Sequence, residues 1–335
     1  MTESNSGGVA VVGAGYWGRN LVRNFHAIGE LAAICDDRPA VRIEMGSAFP
    51  GVALHANFKE TLGDPSIRAV AIATPAETHA TLARMALDAG KDVYVEKPLC
   101  LSVDDGEALA ALASKSGRIL MVGHLLWYHP AVILLKEMVS GGDLGRIRYI
   151  YSHRLNLGKV RREENVLWSF APHDISVILG LLQATPQTVV AQAGTWLTPG
   201  VADSVDVLLA FPDGVKARVF VTWLHPFKEQ KLVVVGDRAM AVFDDQEPKD
   251  KLRIWDHQVD TSGPVPVPRR AEARAVALPS GEPLRTECEH FVSCVRTRST
   301  PRTDAAEGIR VLRVLRACEE SMVAQRETQK GTMPA

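Results

Sequence analysis

The sequence contains little that would place it in a membrane or outside the cell. No apolar run approaches the roughly 18 residues that a membrane-spanning helix needs. The first residues, MTESNSGG, lack the basic and then apolar pattern of a signal peptide. The five cysteines are scattered and odd in number, which is typical of reduced thiols. The formal net charge of −1 gives no bulk attraction to nucleic acid or anionic membranes. We therefore expect a cytoplasmic protein with no nucleic-acid or membrane partner.

Metal-ligand patterns are also scarce. Cys288, His290 and Cys294 resemble a ligand set, but they fall within a helical pattern and have no second ligand pair nearby. We expect no metal site. The 335 residues are too many for one ordinary hydrophobic core and suit two domains.

Short apolar runs alternate with helical patterns over the first part of the chain. The runs end at glycine, aspartate or proline, as buried parallel strands do. The predicted strands are Val9–Val12, Leu31–Cys35, Ala69–Ala73, Asp92–Val95 and Ile119–Val122, and the predicted helices are Leu21–Ile28, Thr81–Ala89 and Val103–Ser114. This alternation predicts an α/β fold with an N-terminal Rossmann domain over residues 1–123, a doubly wound parallel sheet that binds ligands at the carboxyl ends of its strands.

The pattern changes in residues 124–335, where strands follow one another closely. Apart from helices at His129–Val139 and from about Pro172 to Leu182, the predicted elements are strands at 146–152, 188–194, 204–211, 215–222, 231–236, 239–244 and 252–255. A surface excursion over 256–279 and two helices, 282–296 and 304–325, complete the chain. We expect an α+β domain with a large open, mainly antiparallel sheet. An open sheet of this size needs a covering partner, so we expect a homodimer or homotetramer formed through it.

The first predicted strand leads directly into a GxGxxG motif. The motif is weak alone, but here it follows a strand, opens a helix and precedes an acidic residue at the end of the next strand. The proposed dinucleotide-binding positions in this loop are Gly13, Gly15, Tyr16, Trp17 and Gly18. The glycines allow a tight turn, close approach of the pyrophosphate and close helix–strand packing. A glycine-rich turn without a ligand is the alternative interpretation.

Asp36 ends the second strand, where a carboxylate binds the adenosine ribose hydroxyls of a dinucleotide. A 2′-phosphate at this position would meet like charge from Asp36 and Asp37. We therefore favour NAD as the cofactor. Arg38 is able to pair with a phosphate and keeps NADP open as an alternative.

Several strand-end segments resemble one family of oxidoreductases. Thr74-Pro75-Ala76-Glu77-Thr78-His79, Glu96-Lys97-Pro98, Gly123-His124 and His173-Asp174 are similar to motifs of the Gfo/Idh/MocA family. The resemblance implies that Thr74, Pro75, His79 and Glu96 lie at the cofactor. It also implies that Lys97 lies beside the nicotinamide and the reacting carbon of a sugar-like substrate. It further implies a cis peptide at Lys97–Pro98, which proline permits at modest cost. A solvated surface lysine is the alternative for Lys97.

The second half supplies the other proposed catalytic residue. In the resembled family, a histidine with an aspartate four residues before it handles the proton of the substrate hydroxyl. His173 matches the histidine, but Ser169 occupies the aspartate position. His173 remains a candidate general base, because an imidazole titrates near neutral pH. A structural histidine is the alternative, and Ser169 leaves open which residue orients His173.

The segment before His173 resembles the subgroup of this family that oxidises the 3-hydroxyl of UDP-N-acetylglucosamine or related sugars. A cationic rim would bind a diphosphate, and Trp168 or Tyr128 would stack on a uracil or sugar. The proposed substrate-binding residues are Arg154, Asn156, Lys159, Arg161, Trp168, Ser169 and His173. A solvated basic loop is the alternative.

The leading hypothesis is therefore NAD-dependent oxidation of a UDP-N-acetylhexosamine to a 3-keto sugar nucleotide. Two rivals stay open. One is a dehydrogenase or ketoreductase acting on another sugar, a dTDP-ketosugar or a polyol. The other is a catalytically silent NAD-sensing regulator, which would bind the cofactor without reducing it.

Overall fold

A computed structural model divides the chain into two compact units. It describes residues 8–158, 160–162 and 164–332, with side chains as far as residue 325. Among these, the first unit joins the residues up to Tyr128 with Gly281–Leu312, and the second joins His129–Ser280 with the residues from Arg313 onward. No helix in the described part of the chain is long and apolar enough to cross a membrane.

Helices and strands alternate in the first part of the chain, and strands dominate the second. The helices are α1 (Gly18–Ala27), α2 (Pro39–Ala48), α3 (Phe58–Gly63), α4 (Ala76–Asp88), α5 (Val103–Ser116), α6 (Pro130–Ser140), α7 (Val166–Leu182), α8 (Pro283–Thr297) and α9 (Ala305–Thr332). The first eight strands are β1 (Gly8–Val12), β2 (Leu31–Cys35), β3 (Ala53–His55), β4 (Ile67–Ile72), β5 (Asp92–Glu96), β6 (Leu120–Gly123), β7 (Ile147–Leu155) and β8 (Thr188–Gly194). The remaining strands are β9 (Ser204–Ala210), β10 (Lys216–Thr222), β11 (Glu229–Gly236), β12 (Met240–Asp244), β13 (Leu252–Trp255), β14 (Gln258–Asp260), β15 (Val267–Arg269) and β16 (Arg274–Ala275).

The first unit contains a six-stranded sheet in the order β3-β2-β1-β4-β5-β6. Each neighbouring pair in this order is parallel. The chain therefore winds outward from β1 in both directions, and β1 and β4 meet where the direction of winding changes. A doubly wound sheet binds ligands outside the carboxyl ends of its strands at this point. The predicted Rossmann domain is confirmed.

The central strands of this sheet are buried on both faces. All five residues of β5 are buried, and so are four of the five residues of β1. The apolar residues in the middle of each strand follow from this position, because neither face meets water. Polar side chains therefore concentrate at the strand ends, where the candidate site lies.

The second unit is built on an eight-stranded sheet in the order β16-β13-β12-β11-β7-β10-β9-β8. The pairs are antiparallel except for β7 and β10, which run parallel. Helix α7 packs against β7, β9 and β10. The predicted α+β unit with a mainly antiparallel sheet is confirmed.

One long segment belongs to a different unit from the domain that the sequence predicted for it. Gly281–Leu312 belongs with the nucleotide-binding sheet, whereas the division into 1–123 and 124–335 placed it in the C-terminal domain. Aromatic packing accounts for this difference. The Phe291 ring of α8 contacts Phe25 of α1 and Tyr94 of β5, at centroid distances of 6.4 and 5.8 Å.

Other elements also differ from the expectations. Helices α2 and α3 and strand β3 were not predicted. Helix α7 begins at Val166 rather than near Pro172, because the Asn165 side chain caps it by accepting from the Trp168 N–H. The predicted surface excursion over 256–279 contains the short strands β14, β15 and β16, and β16 extends the large sheet.

Candidate active site

The glycine loop connects β1 to α1 and leaves a cradle at the N-terminus of the helix. Gly13 has φ of +88°, which favours glycine. A Cβ on Gly18 would lie 1.8 Å from the Gly13 carbonyl oxygen, so no larger residue fits there. A Cβ on Gly15 would have no neighbour nearer than a guanidinium nitrogen of Arg38 at 3.7 Å. This open position permits close approach of a ligand.

The electrostatics of α1 also suit an anion. Its first turn contains no acidic residue, and Trp17 at the N-cap makes no side-chain capping bond. The Arg19 and Asn20 N–H groups donate to the Gly15 and Trp17 carbonyl oxygens, so the attraction for a phosphate comes from the partial positive charge of the helix N-terminus. Tyr16 is 91% exposed and faces outward from the loop, whereas Trp17 is 37% exposed and its indole N–H turns toward Glu96. The residues fit a bound dinucleotide.

Asp36 lies at the end of β2 and forms a network with this loop. One of its oxygens accepts from the Ala14 N–H at 2.9 Å, and its carboxylate accepts two bonds from the Arg38 guanidinium. Burial raises the pKa of Asp36, but the hydrogen bonds from Arg38 and Ala14 outweigh this effect and hold the pKa below its usual range. Asp36 is thus an anion at neutral pH, and its charge is partly offset by Arg38.

His79 connects the loops that follow β4 and β5. Its Nε2 lies 2.9 Å from the Thr74 carbonyl oxygen, and its Nδ1 lies 2.7 Å from the Pro98 carbonyl oxygen. The ring is 1% exposed, and burial lowers the pKa of His79. His79 therefore acts as an internal clamp between the two strand ends, while Thr74 and Pro75 lie at the surface of the same edge.

The Lys97–Pro98 peptide is cis, as predicted. Glu96 is the last residue of β5 and Lys97 follows it directly, at the carboxyl edge of the sheet. Glu96 is buried, and one of its oxygens accepts from the Trp17 indole N–H at 2.6 Å. This bond ties the glycine loop to the strand end that carries Lys97.

In the second unit, His173 and Ser169 lie one turn apart on α7. Ser169 is buried and His173 is half-buried. Asp174 beside His173 is buried and is bound by the chain itself. It accepts from Ser152 at 2.6 Å and from Arg154 at 2.7 Å. Asp174 therefore holds Arg154 in place through a buried ion pair.

Two aromatic residues were expected to stack on the substrate. Trp168 is 5% exposed, and its indole N–H donates to Glu319 at 2.7 Å. Tyr128 is 2% exposed and lies under the guanidinium of Arg302. Both rings are therefore buried in the described structure, and the stacking role stays a prediction.

The remaining proposed substrate residues lie between β7 and α7. The Asn156 N–H donates to the Thr222 carbonyl oxygen at 3.1 Å. Arg161 forms an ion pair with Glu164 at 3.0 Å. Lys159 lies outside the described residues.

Sequence reasoning missed the partners of two polar groups near the strand ends of the first unit. Next to β6, His124 is buried and its Nδ1 donates to the Glu307 carboxylate. Beneath β5, the Tyr94 hydroxyl lies between Glu96 and Glu287. The sequence gives a weak signal for both, a histidine at a strand end and a glutamate on the apolar side of an amphipathic helix.

Comparison with known proteins identifies the class. Residues 8–124 match the family described as an oxidoreductase family with an NAD-binding Rossmann fold, and residues 132–242 match the GFO/IDH/MocA C-terminal domain. The glycine cradle, the strand-end lysine and these matches define an NAD-binding oxidoreductase. The chain belongs to the Gfo/Idh/MocA family.

Several relatives are similar to this chain over much of its length. The UDP-N-acetylglucosamine 3-dehydrogenase of Acidithiobacillus ferrooxidans is 28% identical over 90% of this chain and 93% of its own. The solved structure of that enzyme matches with a TM-score of 0.83 at 25% identity, covering 94% of this chain and 97% of that one. A 1-carboxy-3-chloro-3,4-dihydroxycyclohexa-1,5-diene dehydrogenase of Comamonas testosteroni is 31% identical over 57% of this chain. The match covers about half (51%) of the length of that relative.

Proposed function

We propose that this dehydrogenase oxidises the 3-hydroxyl of a UDP-N-acetylhexosamine, such as UDP-N-acetylglucosamine, to a 3-keto sugar nucleotide with NAD. The observation that carries the proposal is the extent of its likeness to the UDP-N-acetylglucosamine 3-dehydrogenase. That likeness covers 90% of this chain and therefore includes the unit expected to bind substrate. The match to the family alone supports only a dehydrogenase.

The proposed chemistry acts on the oxygen of the substrate 3-hydroxyl. One group must polarise this oxygen, and another must remove its proton. When bound, the nicotinamide accepts the hydride that leaves C3. We assign Lys97 to the substrate hydroxyl, where its ammonium stabilises the developing alkoxide. We assign His173 as the base that takes the hydroxyl proton. The C3–H bond breaks, the C–O bond becomes a carbonyl, and one proton leaves on His173.

The substrate's diphosphate needs fixed positive charge. We assign Arg154 to this ligand as a guanidinium held in position by the Asp174 carboxylate, which also offsets part of its charge. Arg161 and Asn156 lie in the same segment, between β7 and α7, and we assign them to the same ligand. We also propose a role for Ser169 at the substrate, as the neighbour of His173 one helical turn away.

We propose NAD rather than NADP as the cofactor. Asp36 is an anion near the expected ribose position, and a 2′-phosphate would meet its charge. Arg38 is already engaged by Asp36 through two hydrogen bonds. Titration with NAD and NADP tests this directly, and tighter binding of NADP would contradict it.

The experiment that tests the function follows absorbance at the NADH band with NAD and a panel of sugars. The panel is UDP-N-acetylglucosamine, myo-inositol and dTDP-glucose, with an aminotransferase or other ketone trap present because the oxidation is uphill. NADH formed with the UDP-sugar alone supports the proposal. NADH formed with a comparator instead overturns the substrate assignment, and binding of NAD without reduction by any donor favours a silent NAD sensor.

A Lys97→Met variant tests the assigned chemistry. It removes the ammonium but keeps the length of the side chain. We expect turnover to fall by about a hundredfold or more while NAD binding is retained. Lys115→Met, at an exposed position of α5, is the matched control and leaves turnover unchanged. Normal turnover in the Lys97 variant would remove Lys97 from the mechanism.

A further inference from the structure

Three polar side chains, Tyr94, Glu96 and Glu287, form a buried chain of hydrogen bonds beneath the strand end that carries Lys97. The Tyr94 hydroxyl lies 3.0 Å from a Glu96 oxygen and 3.2 Å from a Glu287 oxygen. Tyr94 and Glu287 are fully buried, and Glu96 is 8% exposed. The other end of the chain is the Trp17 indole, which donates to Glu96. The chain therefore runs from α8 through β5 to the glycine loop.

The number of protons limits what these contacts can be. A tyrosine hydroxyl has one proton and donates one hydrogen bond, yet it lies between two carboxyl groups. If both carboxyl groups were ionised, one of the two would face the Tyr94 oxygen with no proton between the two oxygen atoms. Two like charges around one buried hydroxyl are also unfavourable. One of the two carboxyl groups must therefore carry a proton that it donates to Tyr94.

The partners of each carboxyl indicate which one is neutral. Glu96 accepts from the Trp17 indole at 2.6 Å and has the Lys97 cation beside it, and both favour the anion. Glu287 contacts Tyr94 through one oxygen, and its other oxygen is buried with no hydrogen-bond partner among the described residues. A bare carboxylate oxygen in this position would cost much more than the carbonyl oxygen of a neutral acid.

We propose that Glu287 is a protonated, positioning residue of the dehydrogenase, donating through the Tyr94 hydroxyl to hold Glu96 as the anion that joins the glycine loop to the Lys97 strand end. The bonds then run in one direction, from Glu287 to Tyr94 to Glu96, and Trp17 donates to Glu96 from the other side. This role rests on the proposed function only in that Lys97 is taken as the catalytic lysine.

The direction of the pKa shift at Glu287 agrees with the geometry. Burial raises the pKa of Glu287 well above its ordinary value, and the nearby charge of Glu96 raises it further. Burial also raises the pKa of Tyr94, which keeps its hydroxyl proton. Burial raises the pKa of Glu96 too, but the hydrogen bonds from Trp17 and Tyr94 and the charge of Lys97 oppose this effect, and Glu287 lacks the Trp17 and Lys97 partners. Glu96 is therefore the carboxyl group that the geometry assigns as the anion.

Infrared spectroscopy of the full-length protein tests the protonation without any substrate. We expect the wild-type protein at mildly alkaline pH to show the carbonyl stretching band of a neutral carboxyl group. Glu287→Gln should remove that band, and Glu289→Gln, at an exposed position of α8, should leave it. A band that persists in Glu287→Gln and disappears in Glu96→Gln would overturn the assignment, and so would the absence of any such band.

Binding of NADH, measured by calorimetry, tests the positioning role. Glu287→Gln keeps a neutral donor and should bind NADH as the wild type does. Tyr94→Phe interrupts the chain and should weaken binding by about tenfold. Unchanged NADH binding in a folded Tyr94→Phe variant would overturn the role, and circular dichroism of each variant identifies one that has not folded. Neither measurement depends on the sugar, so failure of the proposed substrate leaves both results interpretable.

Discussion

At the scale of single residues, the strand-end motif shows how much chemistry depends on partners distant in sequence. The segment Glu96-Lys97-Pro98 could be read from the sequence, including its cis peptide. The partners of Glu96 could not, because Glu287 reaches Tyr94 across 193 residues. A motif predicts its own backbone and side-chain types, whereas such long-range pairs depend on how the elements pack.

Glu287→Gln should change how stability depends on pH. The wild-type Glu287 is neutral in the folded protein and ionises on unfolding above its ordinary pKa of about 4.3. Folding then takes up a proton, so this residue lowers the free energy of unfolding by up to about 1.4 kcal/mol for each pH unit above that value. Glutamine binds no proton. We therefore expect the variant to gain stability over the wild type as pH rises from about 5 to about 8.

Denaturation midpoints at a series of pH values measure this difference. The other titratable groups around Glu287 are present in both proteins. Tyr94 on β5 and Cys288 on α8 stay neutral because burial raises the pKa of each, and Glu96, whose pKa burial also raises, is common to both proteins. Glu289→Gln is the control and should follow the wild type at every pH. Parallel curves for wild type and Glu287→Gln would show that Glu287 is ionised in the folded protein.

At the scale of elements, burial decides which strands and helices the sequence reveals. The predicted limits of β2 and β8 agree with the structure, because apolar runs that end at turn residues leave little choice. Helix α2 was missed since Met45 is its one buried residue, so it has no apolar stripe. The early start of α7 was missed because a proline was read as the beginning of a helix, whereas Pro172 lies inside it.

His79 is the residue through which two of these elements are held together. His79→Ala removes its contacts with the Thr74 and Pro98 carbonyl oxygens and leaves a cavity. We expect it to lower the free energy of unfolding by about 2–4 kcal/mol. Thr81→Ala, at an exposed position of the same helix, should change it by less than about 0.5 kcal/mol. Equal denaturation midpoints for the two variants would exclude the clamp.

At the scale of the whole molecule, the two units contribute different parts of the proposed activity. The first contains the cofactor cradle and Lys97, and the second contains His173 and the arginines assigned to the substrate. The class of enzyme was predictable from sequence because the glycine loop and the strand-end motifs are local. The substrate was less predictable, because the sequence gave no sign that side chains such as Trp168 are buried.

The large sheet supports the proposal of a homodimer or homotetramer. Its face carries Tyr149 of β7 and Leu208 of β9, which are 49% and 50% exposed, on strands that flank β10. We expect the wild type to be oligomeric and Leu208→Glu to shift it toward monomer, because a charge would be buried at the contact. Light scattering after size-exclusion chromatography measures this. Val259→Glu, outside the large sheet, should keep the wild-type mass, and a monomeric wild type would contradict the proposal.

The most direct test of the central claim follows the hydride itself. The protein is mixed with NAD and UDP-N-acetylglucosamine that carries deuterium at C3, and the reduced cofactor is analysed by mass spectrometry. We expect the deuterium to appear in the reduced cofactor and the sugar to become a 3-ketone. Reduced cofactor without deuterium would place the oxidation at another carbon, and no reduced cofactor beside activity on a comparator sugar would contradict the proposed substrate.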